Sequence, residues 1–578
     1  MTPRPRELAR NLVLGVSTAA GMAAEDPSLL LVQAARRLPT RVRHGVVRLL
    51  LAGAPSPQRR AVGAWLGGHD GEARELLSAV LTGARPGSHP VLAEIGVLLD
   101  VPGAHLAGSR ATAARAALRR GEVSRAVELA RGTPLAARFA SERCAMTPGH
   151  DLRTLPAAAL SAASTAGTAG TAASPPRALH VLTNSFPHTP SGYAVRSHQV
   201  LLAQREAGVA VEAVTRVGYP ITVGKAFARH RDVVDGVGYS RLVPWRSART
   251  PGARLQQQLE ELRPLARRYR PTVLHTTTNY TNALVTRALA RELGVPWVYE
   301  ARGVLEDTWV ASFPPHLREA AAASEKHALL RARELEVACS ADRVVTLSEV
   351  LREDLVARGV PRDRTRVVPN GVDGRLLEVR EAPAAARWAL GLPGEGFWVG
   401  TVSSLVAYEG LDTLLRAVAL ARAEGVDVRA ALVGDGVSAP GLGRLSEDLG
   451  LGESVIMPGR VTTAQAERWY LALDAFAVPR VDSAVTRSVT PLKPVTAMAL
   501  GRPVIASDLP ALREVTGGAA LFSQAESPES VAQAILRLAR NQDARDELAA
   551  AGRAEAAQRT WNSLGRRYRA MYEEVVSA

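Results

Sequence analysis

Cysteine is almost absent: Cys144 and Cys339 are the only two in 578 residues, far apart and without C-x-x-C spacing. That excludes a disulfide framework and a cysteine zinc site, and it fits a reducing cytoplasm. Aromatic residues are scarce at 4%, so arginine-rich stretches such as Arg36 to Arg48 and Arg263 to Arg270 lack the interleaved rings that base stacking needs. With no RNA- or DNA-module signature beside them, nucleic acid is not an expected partner. No uncharged apolar run reaches the length of a membrane span. The start, Arg4 to Ala24, imitates a secretion signal because basic residues precede Asn11 to Val16. Its apolar run is short and broken by Gly15, Ser17 and Gly21, so it reads as a helix. Acidic residues are outnumbered, 56 against 71 Lys and Arg, for a formal net charge of +15. The surplus either solvates helix faces or draws the chain to something acidic, a phosphorylated substrate or an anionic lipid surface at the inner face of the cell membrane.

A chain this long needs two or three domains. Residues 1–150 read as helices, with apolar positions at helical spacing in Ala61 to Leu81, Pro90 to Leu99 and Ala111 to Ala130. The last of these has the texture of a tetratricopeptide hairpin around Arg119-Arg120-Gly121, which makes a partner-binding or membrane-proximal module one expectation for this region and a plain helical bundle the other. Thr154 to Ala178 is built of Ala, Ser, Thr, Gly and Pro without charge or apolar period, the composition of a flexible tether, so residues 151–178 read as a linker. Beyond it, short apolar runs alternate with amphipathic helices, the signature of parallel α/β domains. Leu179 to Thr183, Val209 to Thr215, Val273 to Thr277, Val298 to Glu300 and Arg343 to Thr346 read as strands of a first domain. Trp398 to Val402, Ala430 to Gly434, Val455 to Met457, Ala475 to Val478 and Val504 to Ser507 read as strands of a second. Two tandem Rossmann-like sheets leave a ligand cleft between the C-terminal ends of their strands.

Four stretches carry chemistry. Thr183 to Ala194 holds a glycine, Gly192, beside Tyr193 and ahead of a helix from about Arg196, a place where backbone N–H groups approach a phosphate or a sugar; a tight structural turn explains the glycine equally well. Val344 to Glu349 leads to Pro369-Asn370-Gly371-Val372-Asp373, where Asn370-Gly371 supplies a positive-φ turn and Asp373 a cap. Gly400 to Leu405 with Tyr408-Glu409-Gly410-Leu411, and Leu432-Val433-Gly434-Asp435-Gly436, fall at strand-to-helix turns of the second domain. The last is Val489-Thr490-Pro491-Leu492-Lys493-Pro494, running on to Asp508.

In this order the four stretches resemble glycosyltransferase family 4, over nearly all of residues 178 to 578, and a branch of it with Tyr-Glu-Gly-Leu, Thr-Pro-Leu-Lys-Pro and Tyr-Glu-x-Arg-Gly motifs. The resemblance implies the two-domain GT-B fold, an acceptor domain over 179–375, a nucleotide-sugar domain over 376–560, and a C-terminal helix over 561–578 packing back on the first. It implies transfer of a sugar, with retention and without a bound metal or cofactor, from a nucleotide-diphosphate donor to a glycan, lipid-linked or small-molecule acceptor. Where the family places two carboxylates eight residues apart, this chain has Ser488 and Thr496. Ser404 and Glu409 stand where Arg and Lys commonly meet the diphosphate, and Arg302 stands in place of a catalytic-region His. The expected donor site is therefore Ser404, Gly434, Asp435, Gly436, Arg480, Arg487, Thr490, Leu492, Lys493 and Thr496. Arg302 and Glu300 are the catalytic candidates, and Gly192 and Tyr193 lie on the acceptor side. Glu300 is equally suited to a buried ion pair with Arg302, and His275 reads as a satisfied core residue. A glycosyltransferase-like protein that binds without transferring is the competing reading, favoured by the missing carboxylates and opposed by the intact Thr-Pro-Leu-Lys-Pro loop.

Overall fold

The computed structural model describes residues 3–25, 31–32, 35, 40–156 and 175–578, which form two α/β lobes behind a run of helices. The first sheet comprises β1 (Arg177–Leu182), β2 (Ala210–Thr215), β3 (Arg231–Val234), β4 (Val237–Arg241), β5 (Val273–Thr277), β6 (Trp297–Ala301), β7 (Arg343–Thr346) and β8 (Thr365–Val367). Its order is β3-β4-β2-β1-β5-β6-β7-β8, parallel except for β3. The second comprises β9 (Phe397–Val402), β10 (Val428–Val433), β11 (Val455–Gly459), β12 (Ala475–Val478), β13 (Val504–Ser507) and β14 (Leu521–Ser523), all parallel in the order β11-β10-β9-β12-β13-β14. Helices cover both faces of each sheet, which is why the central strands are apolar runs without alternation.

In both sheets the strand order reverses beside the first strand, between β1 and β5 and between β9 and β12. At such a switch point the connections leave in opposite directions and open a crevice at the strands' C-terminal ends. The helix Trp561–Ser577 returns from the second lobe to the first, where Trp561, Leu564, Tyr568, Met571 and Tyr572 pack with Val200, Val273, Val298 and Val345.

The helical region is less detached than its composition suggests. Val123, Ala145, Met146 and Leu152 belong to the main core of the first lobe. The stretch with tetratricopeptide texture folds as helices Arg110–Arg119 and Val123–Ala130, joined at Gly121 (φ +85°), whose carbonyl accepts from Lys326 N at 2.9 Å. Buried Arg333 donates to Ala145 O at 3.1 Å. The helices before it keep a core of their own around Trp65, Leu77 and Ile95. Of the expected tether, residues 157–174 lie outside the described residues. Its ends are held: Leu155 N donates to Glu292 Oε1 at 2.9 Å, and Arg177 and Ala178 already pair with β2.

Candidate functional site

At the second lobe's switch point one carboxylate gathers two cations. Glu409 ends the turn Ala407–Glu409, and Gly410 after it takes φ +66° with its Cβ position 1.8 Å from Pro479 O. Only glycine allows that approach, and it presses Glu409 against the end of β12. There Glu409 Oε1 accepts from Lys493 Nζ at 2.8 Å and from Arg480 Nη2 at 3.1 Å. Burial pushes the Glu409 carboxyl up, but Arg480 and Lys493 outweigh it and hold its pKa at about 2. Burial pushes Lys493 down, against the pull of Glu409. Two cations on one carboxylate leave one positive charge in excess, with the Lys493 side chain 23% exposed. The cation role expected of Lys493 and Arg480 is thus halved by Glu409, which faces inward to pair with them. Arg480 also donates to Val489 O at 3.0 Å and lies over the Tyr408 ring.

The other donor-side residues divide. Thr490 is buried, and its Oγ1 has no hydrogen-bond partner among the described residues. Leu492 precedes the helix Lys493–Ala499 and packs against the first lobe's C-terminal-helix core; Thr496 lies half-buried one turn on from Lys493. Arg487, in contrast, is spent on Asp482 at 2.5 and 2.6 Å and is over half exposed. Gly434 and Gly436 owe their lack of a side chain to the packing of their own loops. Added Cβ atoms would lie 1.8 Å from Ser403 O and 2.2 Å from Leu405 O, so the two glycines close the β9 and β10 loops onto each other. Asp435 caps Gly436 N at 2.8 Å and is exposed, as is Ser404. Ser488 donates to Ala484 O at 2.9 Å.

At the first lobe's switch point lies a cavity of about 210 Å³ lined by Thr183, Asn184, Tyr193, Ser197, Thr278, Asn279, Gly303 and Thr308 among others, with no charged side chain in its wall. Larger in volume, a depression of about 560 Å³ runs past Trp297 and Arg343, the first residues of β6 and β7, at the wrong ends of the strands for this architecture. Gly192 is the first residue of the helix Gly192–Glu206, which starts four residues earlier than expected because Ser191 caps it, its Oγ accepting from Ala194 N at 3.3 Å. An added Cβ at Gly192 would meet nothing within 4 Å, so packing does not demand a glycine there. Tyr193 is 47% exposed, with its hydroxyl beside Gly303.

Glu300 and Arg302 are not open to a substrate as catalytic groups. Glu300 is fully buried: Oε1 accepts from Arg196 Nε and Arg302 Nε at 2.9 Å each, and Oε2 meets His275 Nε2 and Tyr568 OH at 3.0 Å each. Burial opposes its charge, yet Arg302 and Arg196 hold the carboxyl well below its usual range. Arg302 stands behind the cavity, donating to Ser197 Oγ at 2.7 Å and Tyr193 O at 3.1 Å. Arg302 therefore positions wall residues. The network runs on through His275 to Tyr572 OH at 2.7 Å, and Tyr572 OH accepts from Gln204 at 2.9 Å. His275 is fully satisfied, and burial depresses its pKa.

Two residues unmarked as functional in the sequence join the lobes. Arg196 donates to Asn370 Oδ1 at 2.8 Å, and Asn370 Nδ2 donates to Thr490 O at 3.1 Å, so a chain of contacts runs from Glu300 to the donor loop. Gly371 does not take the expected positive φ; a Cβ there would lie 2.7 to 2.8 Å from Leu564 and Trp561. Asp373 caps Arg375 N at 3.0 Å. Nothing in the sequence marked this link.

Glu334 holds the residue after the cavity-lining Asn279, accepting from Tyr280 N at 2.7 Å and from the Tyr299 hydroxyl. Burial raises its pKa from 4.5 to about 7. Below pH 4.5 folded and unfolded chains both hold the proton; as pH rises towards 7 the unfolded chain gives it up first, so stability is lost over that window. The loss is up to about 3 kcal/mol. Denaturant midpoints at pH 5 and pH 8 should diverge in the wild type and converge in Glu334→Gln.

Two family descriptions match the chain: Glycosyl transferase 4-like domain over residues 191–371 and Glycosyl transferases group 1 over residues 396–541. A D-inositol 3-phosphate glycosyltransferase of Thermobispora bispora is 28% identical over 257 residues, 42% of this chain and 58% of that protein. An alpha-monoglucosyldiacylglycerol synthase of Streptococcus pneumoniae is 23% identical over 47% of this chain and 60% of its own length. The chain thus spans little more than half the length of the curated relatives it matches. Among solved structures, a sucrose-phosphate synthase of Thermosynechococcus elongatus superposes with TM-score 0.57 at 19% identity, covering 69% of this chain and 99% of that one. Anabaena HepE, solved with UDP, gives 0.53 at 16% identity over 69% of this chain and all of that one. These likenesses identify the fold as GT-B.

Proposed function

We propose that this chain, which by the domain in each lobe belongs to the two-lobed GT-B glycosyltransferases, moves a sugar from a nucleoside diphosphate to a hydroxyl of an uncharged acceptor. The observation that carries the reading is the excess positive charge of the Lys493, Arg480 and Glu409 cluster at one switch point, set opposite a hydroxyl-rich, uncharged cavity at the other. Sugar transfer expels a diphosphate while positive charge builds on the anomeric carbon, so the departing oxygens need fixed cations. Lys493 and Arg480 supply them, Thr490 offers its unpartnered hydroxyl, and the acceptor is held in the cavity beside Tyr193, where proximity replaces a collision between free molecules. The β9 and β10 loops with Ser404, Asp435 and Gly436 frame the nucleotide side, and retention of anomeric configuration belongs to the same reading.

Cavity chemistry narrows the acceptor. An ionised phosphate entering a wall without cations would lose its water uncompensated, which disfavours inositol phosphates and favours a neutral sugar, polyol or glycolipid hydroxyl. HepE is solved with UDP-glucose, which makes uridine sugars the first donors to try. Purified protein incubated with labelled nucleotide sugars should release nucleoside diphosphate, and release should rise on adding neutral polyols and glycosides but not their phosphates. Donor binding with no release for any donor or acceptor would select the competing reading of a binding protein, for which Ser488 and Thr496 in place of carboxylates speak.

A further inference from the structure

The first helix, Pro5–Glu25, turns most of its aliphatic side chains outward. Its buried residues are Asn11 and Leu14. Asn11 Nδ2 donates to the carbonyls of Ala226 and Ala228 at 2.8 Å each, its Oδ1 meets His230 Nε2 at 3.0 Å, and Leu14 packs with Ile221, Ala228 and Val243. At 3.6 residues per turn the opposite face carries Ala9, Leu12, Val13, Val16, Ala20 and Ala23, all exposed. Leu12 is 48% and Val16 69% exposed. Of the helix, Asn11 and Leu14 alone are buried against the protein while the rest of its aliphatic side chains meet water, unlike an ordinary surface helix.

Other segments of the chain add exposed apolar side chains and arginines. Phe227, 73% exposed, lies between the two residues whose carbonyls hold Asn11, and Trp245, 53% exposed, has the Arg10 guanidinium 5.7 Å from its ring centre. The helix Thr40–Leu51 repeats the texture, with Arg41 and Arg48 beside exposed Val42, Leu49 and Leu51. Residues 1–60 hold ten arginines against three carboxylates. A second copy of the chain would suit the apolar face but would set these cations against one another. An anionic lipid surface suits both, taking the aliphatic and aromatic side chains below its headgroups and the arginines among them. No helix among the described residues is long and apolar enough to cross a membrane, which confines the contact to the interface.

We infer that the outward face of Pro5–Glu25 docks the chain on an anionic membrane surface. The test is flotation of the full-length protein with vesicles of phosphatidylcholine alone or mixed with phosphatidylglycerol, without any sugar donor. The wild type should float with the anionic vesicles at low salt, less at high salt, and little with the neutral ones. A Leu12→Ser, Val16→Ser double variant should bind roughly tenfold less at equal lipid. Its thermal midpoint should be unchanged, because both side chains already face water. Equal flotation of the variant, no flotation of the wild type, or a wild-type dimer that the double variant abolishes would each overturn the inference. Since no donor is present, failure here leaves the transfer reading standing, and failure of transfer leaves this one.

Discussion

Replacing Lys493 with alanine should lower kcat/KM for the nucleotide-sugar donor by roughly 10² to 10³, the size of effect seen when one preorganised contact to developing charge is removed. The geometry explains why the loss should be large while the fold survives. Lys493 Nζ is one of two cations on Glu409, and the Arg480 pair with Glu409 at 3.1 Å persists without it. What disappears is the surplus charge: one carboxylate and one guanidinium cancel, and the cleft presents no net cation to a diphosphate. Glu409→Gln changes the balance the other way, leaving two cations without their anion. Nucleoside diphosphate should therefore bind Glu409→Gln at least as tightly as wild type and Lys493→Ala much more weakly, measured by calorimetry with the diphosphate alone. With its carboxyl held near pKa 2, Glu409 stays ionised across the working range, so the acid limb of the pH–rate profile should not come from it. Equal diphosphate affinity in wild type and Lys493→Ala would remove the cluster from the donor site and with it the transfer reading.

The lobes were legible in the sequence wherever burial on both faces wrote a continuous apolar run. Val273–Thr277, Arg343–Thr346, Ala475–Val478 and Val504–Ser507 end where the residues say they should. What escaped was short or polar. β3 and β4 hold Arg231, Asp232, Ser240 and Arg241, so neither reads as apolar, although Asp235-Gly236 between them is a two-residue hairpin turn with both φ positive, at 49° and 77°. β8 and β14 span three residues each, too few for any period. The site was legible as loops and not as partnerships. Lys493 and Arg480 stand out as cations in the right segments, but their shared partner Glu409 is 71 and 84 residues away, and only the fold brings it to them. The same holds for the docking of the helical region, whose ties to Arg333, Glu336 and Gln256 span more than 100 residues. Tether-like composition reports how a segment behaves and is silent on whether the parts it joins touch.

Glu300→Ala should destabilise the protein by about 3 to 5 kcal/mol, because it strands two buried guanidiniums and not because it removes a catalytic group. Arg196 and Arg302 are each 4% exposed and lean on the same Oε1. Without the carboxylate their charges have no anion within reach among the described residues, and water enters only if the wall of the cavity opens. Against a typical total of 5 to 15 kcal/mol, that is enough to shift a denaturant midpoint substantially. The damage should also be directional. Tyr568, on the returning C-terminal helix, donates to Glu300 Oε2 at 3.0 Å, so amide exchange should quicken along Trp561–Ser577 in the variant before it quickens in β9 to β14. Tyr568→Phe removes the hydrogen bond to Glu300 Oε2 and a longer one from Arg196 Nη2 at 3.4 Å but leaves the charges paired, so it should cost only about 2 kcal/mol. A catalytic Glu300 would give the opposite pair of results, activity lost at full stability, because a group that meets substrate is free to change without disturbing the wall behind it. Placement of Glu300 beneath Arg302, Ser197 and Tyr193 instead makes activity and stability fall together, through the shape of the acceptor cavity that those side chains hold.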